Sequence, residues 1–136
     1  MSELIPLSFQ KIMQSRAYTV VILGTESKKF AIYTEPQVGH HLQMYLAQGH
    51  SRRPYTHDLL DSILKGLNAT PFQVVIHGVE DTIYYARLFI EQVEGEKKCI
   101  LEIDARPSDC ITLAIMHKIP IFCRKEVFDR VVAVQD

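Results

Sequence analysis

The chain has 136 residues, 47% of them hydrophobic and 23% charged, which fits one globular domain with a full core and excludes disordered and fibrous classes. Lys and Arg number 15 against 16 Asp and Glu, a formal net charge of -1, so no global positive field advertises a polyanionic partner and any basic footprint must be local. Cys99, Cys110 and Cys123 lack C-x-x-C spacing and fall in apolar runs, and no window approaches the roughly 18 apolar residues of a membrane span; buried reduced thiols in a soluble cytoplasmic protein with no membrane partner are expected.

In chain order, Leu7 to Met13 reads as a strand preceding a β-hairpin formed by residues 18 to 23 and 30 to 33 around the polar turn Gly24 to Lys29. Val38, Leu42, Tyr45 and Leu46 recur at helical spacing and predict a first helix from about Gln37 to Ala47, ending near Gly49. A loop carrying His50 to Arg53 leads to a second helix, capped by Thr56 or Asp58 and running through Leu67. Its apolar stripe of Leu59, Leu60, Ile63, Leu64 and Leu67 is expected to face a core. Asn68 to Pro71 stops it. Strands at about 72 to 77, 82 to 91 and 98 to 104, joined by short turns, predict an antiparallel meander. Pro107 then opens a third helix, buried along Cys110 to Met116, and Pro120 to Cys123 forms a short strand. Lys125 to Asp136 reads as a marginal helix or as chain outside the domain. The fold class is α+β, with a mixed, largely antiparallel sheet (hairpin plus meander) and about three helices in a single domain.

Two joints concentrate charge. Asp104-Ala105-Arg106-Pro107-Ser108-Asp109 packs two carboxylates, a guanidinium and a hydroxyl between a strand and a helix. Asp109 lies near that helix's N-terminus, where free N–H groups and the macrodipole favour an anion. Arg53-Pro54-Tyr55-Thr56-His57-Asp58-Leu59-Leu60 is a second charged helix start. The two are expected to meet, placing His57 or Asp58 against Arg106 or Asp109.

These two segments, with Tyr84-Tyr85-Ala86-Arg87-Leu88 between them and Ala114 to Phe122 after them, resemble the bifunctional nuclease domain family over about residues 18 to 123. Residues 124 to 136 would then be a C-terminal extension. The resemblance implies a nuclease that hydrolyses phosphodiester bonds in DNA and RNA. Members commonly carry a Glu before the small residue of the first helix, whereas here Val38 precedes Gly39.

Each candidate group carries a functional and a structural reading. Asp58, Asp104 and Asp109 suit Mg²⁺ or Mn²⁺ as hard oxygen ligands, and such an ion would orient a water for attack on phosphate; alternatively Asp58 and Asp109 cap helices and pair with Arg53 and Arg106. The two arginines can clamp phosphate or lock two helix starts together. His57 is a general acid or base, or an imidazole bonded to nearby backbone. Ser108 lacks a nucleophile elbow and reads as a capping or phosphate-contacting hydroxyl. Tyr84 faces the core, leaving Tyr85 as the candidate stacking platform. His40, His41 and His50 lack metal-ligand spacing. A non-catalytic module binding nucleic acid or a small anionic ligand is the alternative function. Open sheet edges also point to a homodimer or larger homo-oligomer.

Overall fold

A computed structural model of the chain describes residues 3–135. Its elements are β1 (Leu4–Gln14), β2 (Thr19–Gly24), β3 (Lys29–Thr34), α1 (Pro36–Leu46), α2 (Thr56–Gly66), β4 (Ala69–Glu80), β5 (Ile83–Glu94), β6 (Lys97–Ala105), α3 (Pro107–His117), β7 (Ile121–Arg124) and α4 (Lys125–Phe128). The strands form one seven-stranded sheet in the order β3-β2-β1-β7-β4-β5-β6. The hairpin β2–β3, the preceding strand β1 and the meander β4–β5–β6 follow the sequence expectation, and all pair antiparallel. β7 joins the two halves by pairing antiparallel with Leu4–Leu7 and parallel with Val74–Ile76. The class is α+β.

The core forms where α3 crosses β4 and β5 beside α1. Cys110, Ile111, Leu113 and Ala114 on α3 are buried against a cluster that includes Val74, Ile76, Ala86, Leu88 and Ile90. α2 ends at Gly66, just before Asn68, and Pro71 lies fully buried within β4, beside a register shift between Pro71 and Gln73 that absorbs its missing N–H. Asn68, in the left-handed region at φ 56°, makes the turn from α2 into β4.

Three expectations are corrected. The apolar stripe of α2 does not face the core: Leu64 is buried, but Leu59, Leu60, Ile63 and Leu67 are exposed. α3, with residues 110–114 all buried, packs on β4 and β5, and α2 packs on β4 and on α3 beside it. Cys99 is likewise exposed, on β6, the last strand of the sheet. Residues 124–135 belong to the domain rather than extending from it. Val127 and Val131 are core residues, the Lys28 ammonium donates to the Phe128 carbonyl at 2.7 Å, and the Val134 N–H donates to the Lys29 carbonyl at 2.8 Å. The short α4 is a fourth helix. Among the described residues no helix is long and apolar enough to cross a membrane.

Candidate active site

Three helix starts converge on one corner of the sheet, and each is fixed by local chemistry. α1 begins with Pro36 in its first turn after Glu35. Gly39 lets this helix sit against the strands: its N–H donates to Thr19 Oγ at 3.1 Å, and a Cβ there would collide with the Gln14 and Thr19 side chains. α2 begins at Thr56, and Asp58 reaches back to accept the Tyr55 N–H on Oδ2 at 2.8 Å. This is the reciprocal half of a capping box rather than a cap at the helix boundary. α3 begins with Pro107 after Arg106.

The two charged joints meet. His57 Nε2 lies 3.0 Å from Asp109 Oδ1, with the side chains 15% and 32% exposed. Arg106 grips the same carboxylate twice, Nε to Oδ2 at 3.0 Å and Nη2 to Oδ1 at 3.3 Å, and extends Nη1 to Glu35 Oε1 at 3.3 Å. The result is a chain Glu35–Arg106–Asp109–His57 linking all three helix starts. The His57 and Arg106 donors hold the Asp109 carboxyl down to about 2, against the opposing effect of its partial burial. With Asp109 ionised, Nε2 has to be the protonated, donating nitrogen of His57. Nδ1 is buried without a hydrogen-bond partner.

Arg106 also lines a cavity of about 710 Å³ together with Glu35, Tyr84, Tyr85, Asp104 and Ser108. Asp104 stands opposite Arg87 in the β5–β6 register, yet Arg87 pairs with Glu102, which leaves the Asp104 carboxylate exposed on the cavity wall. Ser108 is almost fully buried at the first turn of α3. Tyr84 stacks on Phe30 with centroids 5.5 Å apart, as a core residue should, while Tyr85 is 40% exposed.

The model for the family described as "Bifunctional nuclease domain" matches residues 21–135. The chain belongs to this family. No curated protein matches the chain. The family match extends beyond position 123, in accord with the packing of the C-terminal segment.

Within this bifunctional nuclease domain the predicted residues fall into separate groups. Asp104, Arg106 and Ser108 share the large cavity, and His57 with Asp109 stands behind Arg106. Asp58 turns away: its Oδ1 accepts the Tyr45 hydroxyl at 3.0 Å, and it borders a second cavity of about 590 Å³ shared with Tyr45, His50 and Arg52. Burial first, and then the bond to Asp58, push the Tyr45 hydroxyl well above its ordinary pKa. Arg53 is exposed in the preceding loop and takes no part in the Asp109 pair. His41 stacks on Tyr55 at 4.1 Å, and its pKa is lowered by burial and then by His57.

Glu35 was missed in sequence. Its signal was the Glu-Pro pair opening α1, which marks a helix start but not what faces it. A second His–Asp contact was missed as well, His117 Nε2 to Asp61 Oδ1 at 2.9 Å, too poorly aligned for a hydrogen bond.

The donor set does not fit a preformed metal centre. Asp109 and Asp58 spend both oxygens on protein donors, and among the described residues no three His, Cys, Asp or Glu group so as to hold an ion. Of the three predicted ligands only Asp104 keeps its carboxylate free, too few to hold Mg²⁺ or Mn²⁺ without oxygens from water or a substrate phosphate.

Proposed function

We propose that the cavity at the β6–α3 joint is a nuclease site that hydrolyses phosphodiester bonds in DNA and RNA, in keeping with the family name. The observation that carries this reading is Arg106, half turned into the cavity and half fixed behind it. Of the five N–H donors of a guanidinium, three are committed to Asp109 and Glu35, and the side chain is still 63% exposed. The remaining donors, the Ser108 hydroxyl and the first amides of α3 suit a phosphate oxygen. Asp104, exposed on the cavity wall and without an ion-pair partner among the described residues, accepts a proton from an attacking water in this scheme.

His57 and Asp109 are positioning residues in this scheme. One imidazole nitrogen is bonded to Asp109 and the other is buried, so their work is to hold the guanidinium plane. Asp58 and Tyr45 fix the start of α2 in the same manner. No step runs through a metal. The domain is proposed to work in the cytoplasm, where its three unpaired thiols, one of them exposed, would stay reduced.

One observation favours a second reading. Glu35, Arg106, Asp109 and His57 pair with one another in series, which is what a structural clamp in a binding module for nucleic acid or a small anionic ligand would show. Incubating purified protein with single-stranded DNA, duplex DNA and RNA, with and without EDTA, separates the two. Cleavage that falls at least tenfold in Arg106→Ala supports the nuclease; binding of all three without cleavage supports the module.

A further inference from the structure

We propose that the cavity at the β6–α3 joint takes one unpaired nucleobase at its mouth, stacked on Tyr33 and Tyr85, so that its ligand is single-stranded nucleic acid rather than intact duplex. The cut rests on the nuclease reading above; the binding does not. Four strands separate β3 from β5 in the sheet, yet Phe30 of β3 stacks on Tyr84 of β5, so the sheet closes back on itself and both strands line this cavity. Exposure sorts the lining into floor and rim. Ile32 and Ser108 are buried, whereas Tyr33, Ile83 and Tyr85 are 65%, 60% and 40% exposed. Each of the two strands therefore brings one tyrosine ring to the mouth.

Both rings are held in place before anything binds. Tyr18 packs edge-on against Tyr33 with centroids 5.3 Å apart, while the Tyr85 ring lies over Gly78 and its hydroxyl donates to Glu80 Oε2 at 3.3 Å. A base that stacks here orders little that was mobile, which spares the usual entropy of immobilising side chains. Stacking on an aromatic ring is open to every base, since each has a π-face, and it makes no distinction between DNA and RNA. Tyr33 gives no sign of this role in sequence, because it lies on an ordinary hairpin strand.

The charges decide that a base, not the backbone, supplies most of the binding. The charged groups lining the cavity are Glu35, Asp104 and Arg106, and one guanidinium against two carboxylates cannot draw in a polyanion by field alone. Arg106 anchors a single phosphate. Binding should then fall only gently with salt, with a slope of log K on log salt near the roughly -0.7 of one neutralised phosphate on a single strand. A base inside a duplex is already stacked and paired, and extruding it costs a few kcal/mol. That cost consumes what one or two tyrosine rings return.

Fluorescence anisotropy of a short labelled single strand, on an Asp104→Asn background so that the probe stays whole, tests the binding directly. Tyr33→Ala and Tyr85→Ala should each weaken it about fivefold or more, while Tyr33→Phe and Tyr85→Phe stay within about twofold. A blunt duplex of the same sequence should bind about tenfold more weakly, and one unpaired base within it should recover most of the loss. The proposal is overturned by a blunt duplex bound as tightly as the single strand, by unchanged affinity in Tyr33→Ala/Tyr85→Ala, or by a salt slope several times steeper. Cleavage by the protein with Asp104 intact separates this from the nuclease reading. Tyrosine-dependent binding without any cut keeps the base site and removes the nuclease; equal cutting of single strand and duplex, unaltered in Tyr33→Ala/Tyr85→Ala, keeps the nuclease and removes the base site.

Discussion

His57 and Asp109 lie 52 residues apart in sequence and 3.0 Å apart in space, joining the first turns of α2 and α3. Because Asp109 is held by Arg106 as well, the bond reports on more than one helix contact. A double-mutant cycle with His57→Ala and Asp109→Asn is expected to return a coupling energy of about 1–2 kcal/mol, the range for a part-buried, charge-assisted hydrogen bond. Denaturant unfolding of the four proteins measures it, and a coupling near zero would mean that the pair contributes nothing to docking of α2.

The depressed Asp109 carboxyl makes stability depend on acid. Its pKa falls from 3.8 to about 2 on folding, so the folded state favours the ionised form. That contribution is complete above the unfolded value and is lost as pH drops from about 4 through 2. After allowance for its partial exposure it should amount to about 1–2 kcal/mol. The Tm advantage of wild type over Asp109→Asn should therefore shrink across that window. Carbon NMR of the Asp109 carboxyl in His57→Ala should show its titration moving upward, since His57 is the largest cause of the shift.

Much of this corner is legible in the sequence, for a physical reason. Both motifs carry opposite charges at helix starts, where Pro107 and Asp58 mark the boundaries, and complementary groups around one core tend to meet. The contribution of Glu35 depends on where α1 lies relative to α3, which follows from β7 inserting between β1 and β4. A four-residue strand in a parallel pairing leaves no local pattern from which that order could be read. The α2 stripe shows the converse limit. Helical periodicity gives an apolar face at Leu60, Ile63 and Leu67, but not what covers it, and here the chain itself covers only Leu64.

Because Asp58 and Asp109 spend their oxygens on protein donors, the free protein should have little affinity for divalent cations. Millimolar Mg²⁺ and excess EDTA are each expected to leave Tm within about 1 °C of its value in plain buffer, since stabilisation by a ligand requires binding to the native state. Differential scanning calorimetry in the three buffers checks this. A rise of several degrees with Mg²⁺ would reveal a preformed cation site that the carboxylate geometry does not provide.

Asp104 decides between the two accounts that its position in the sequence leaves open. As half of a buried ion pair, its replacement by Asn would cost about 3–5 kcal/mol through the arginine left unpaired. The carboxylate is instead exposed, and Arg87, which faces it in the register, is already paired with Glu102. Asp104→Asn should accordingly change stability by no more than about 0.5 kcal/mol, as surface substitutions do. If Asp104 activates the attacking water, the same protein should lose cleavage by about 100-fold or more, the usual contribution of a positioned general base. Unfolding and cleavage are to be measured on one preparation at a concentration where Asp104→Asn and wild type have the same oligomeric state. A stable variant that cuts DNA and RNA at the wild-type rate would remove Asp104 from the chemistry and leave Arg106 and Ser108 to carry the cavity's role.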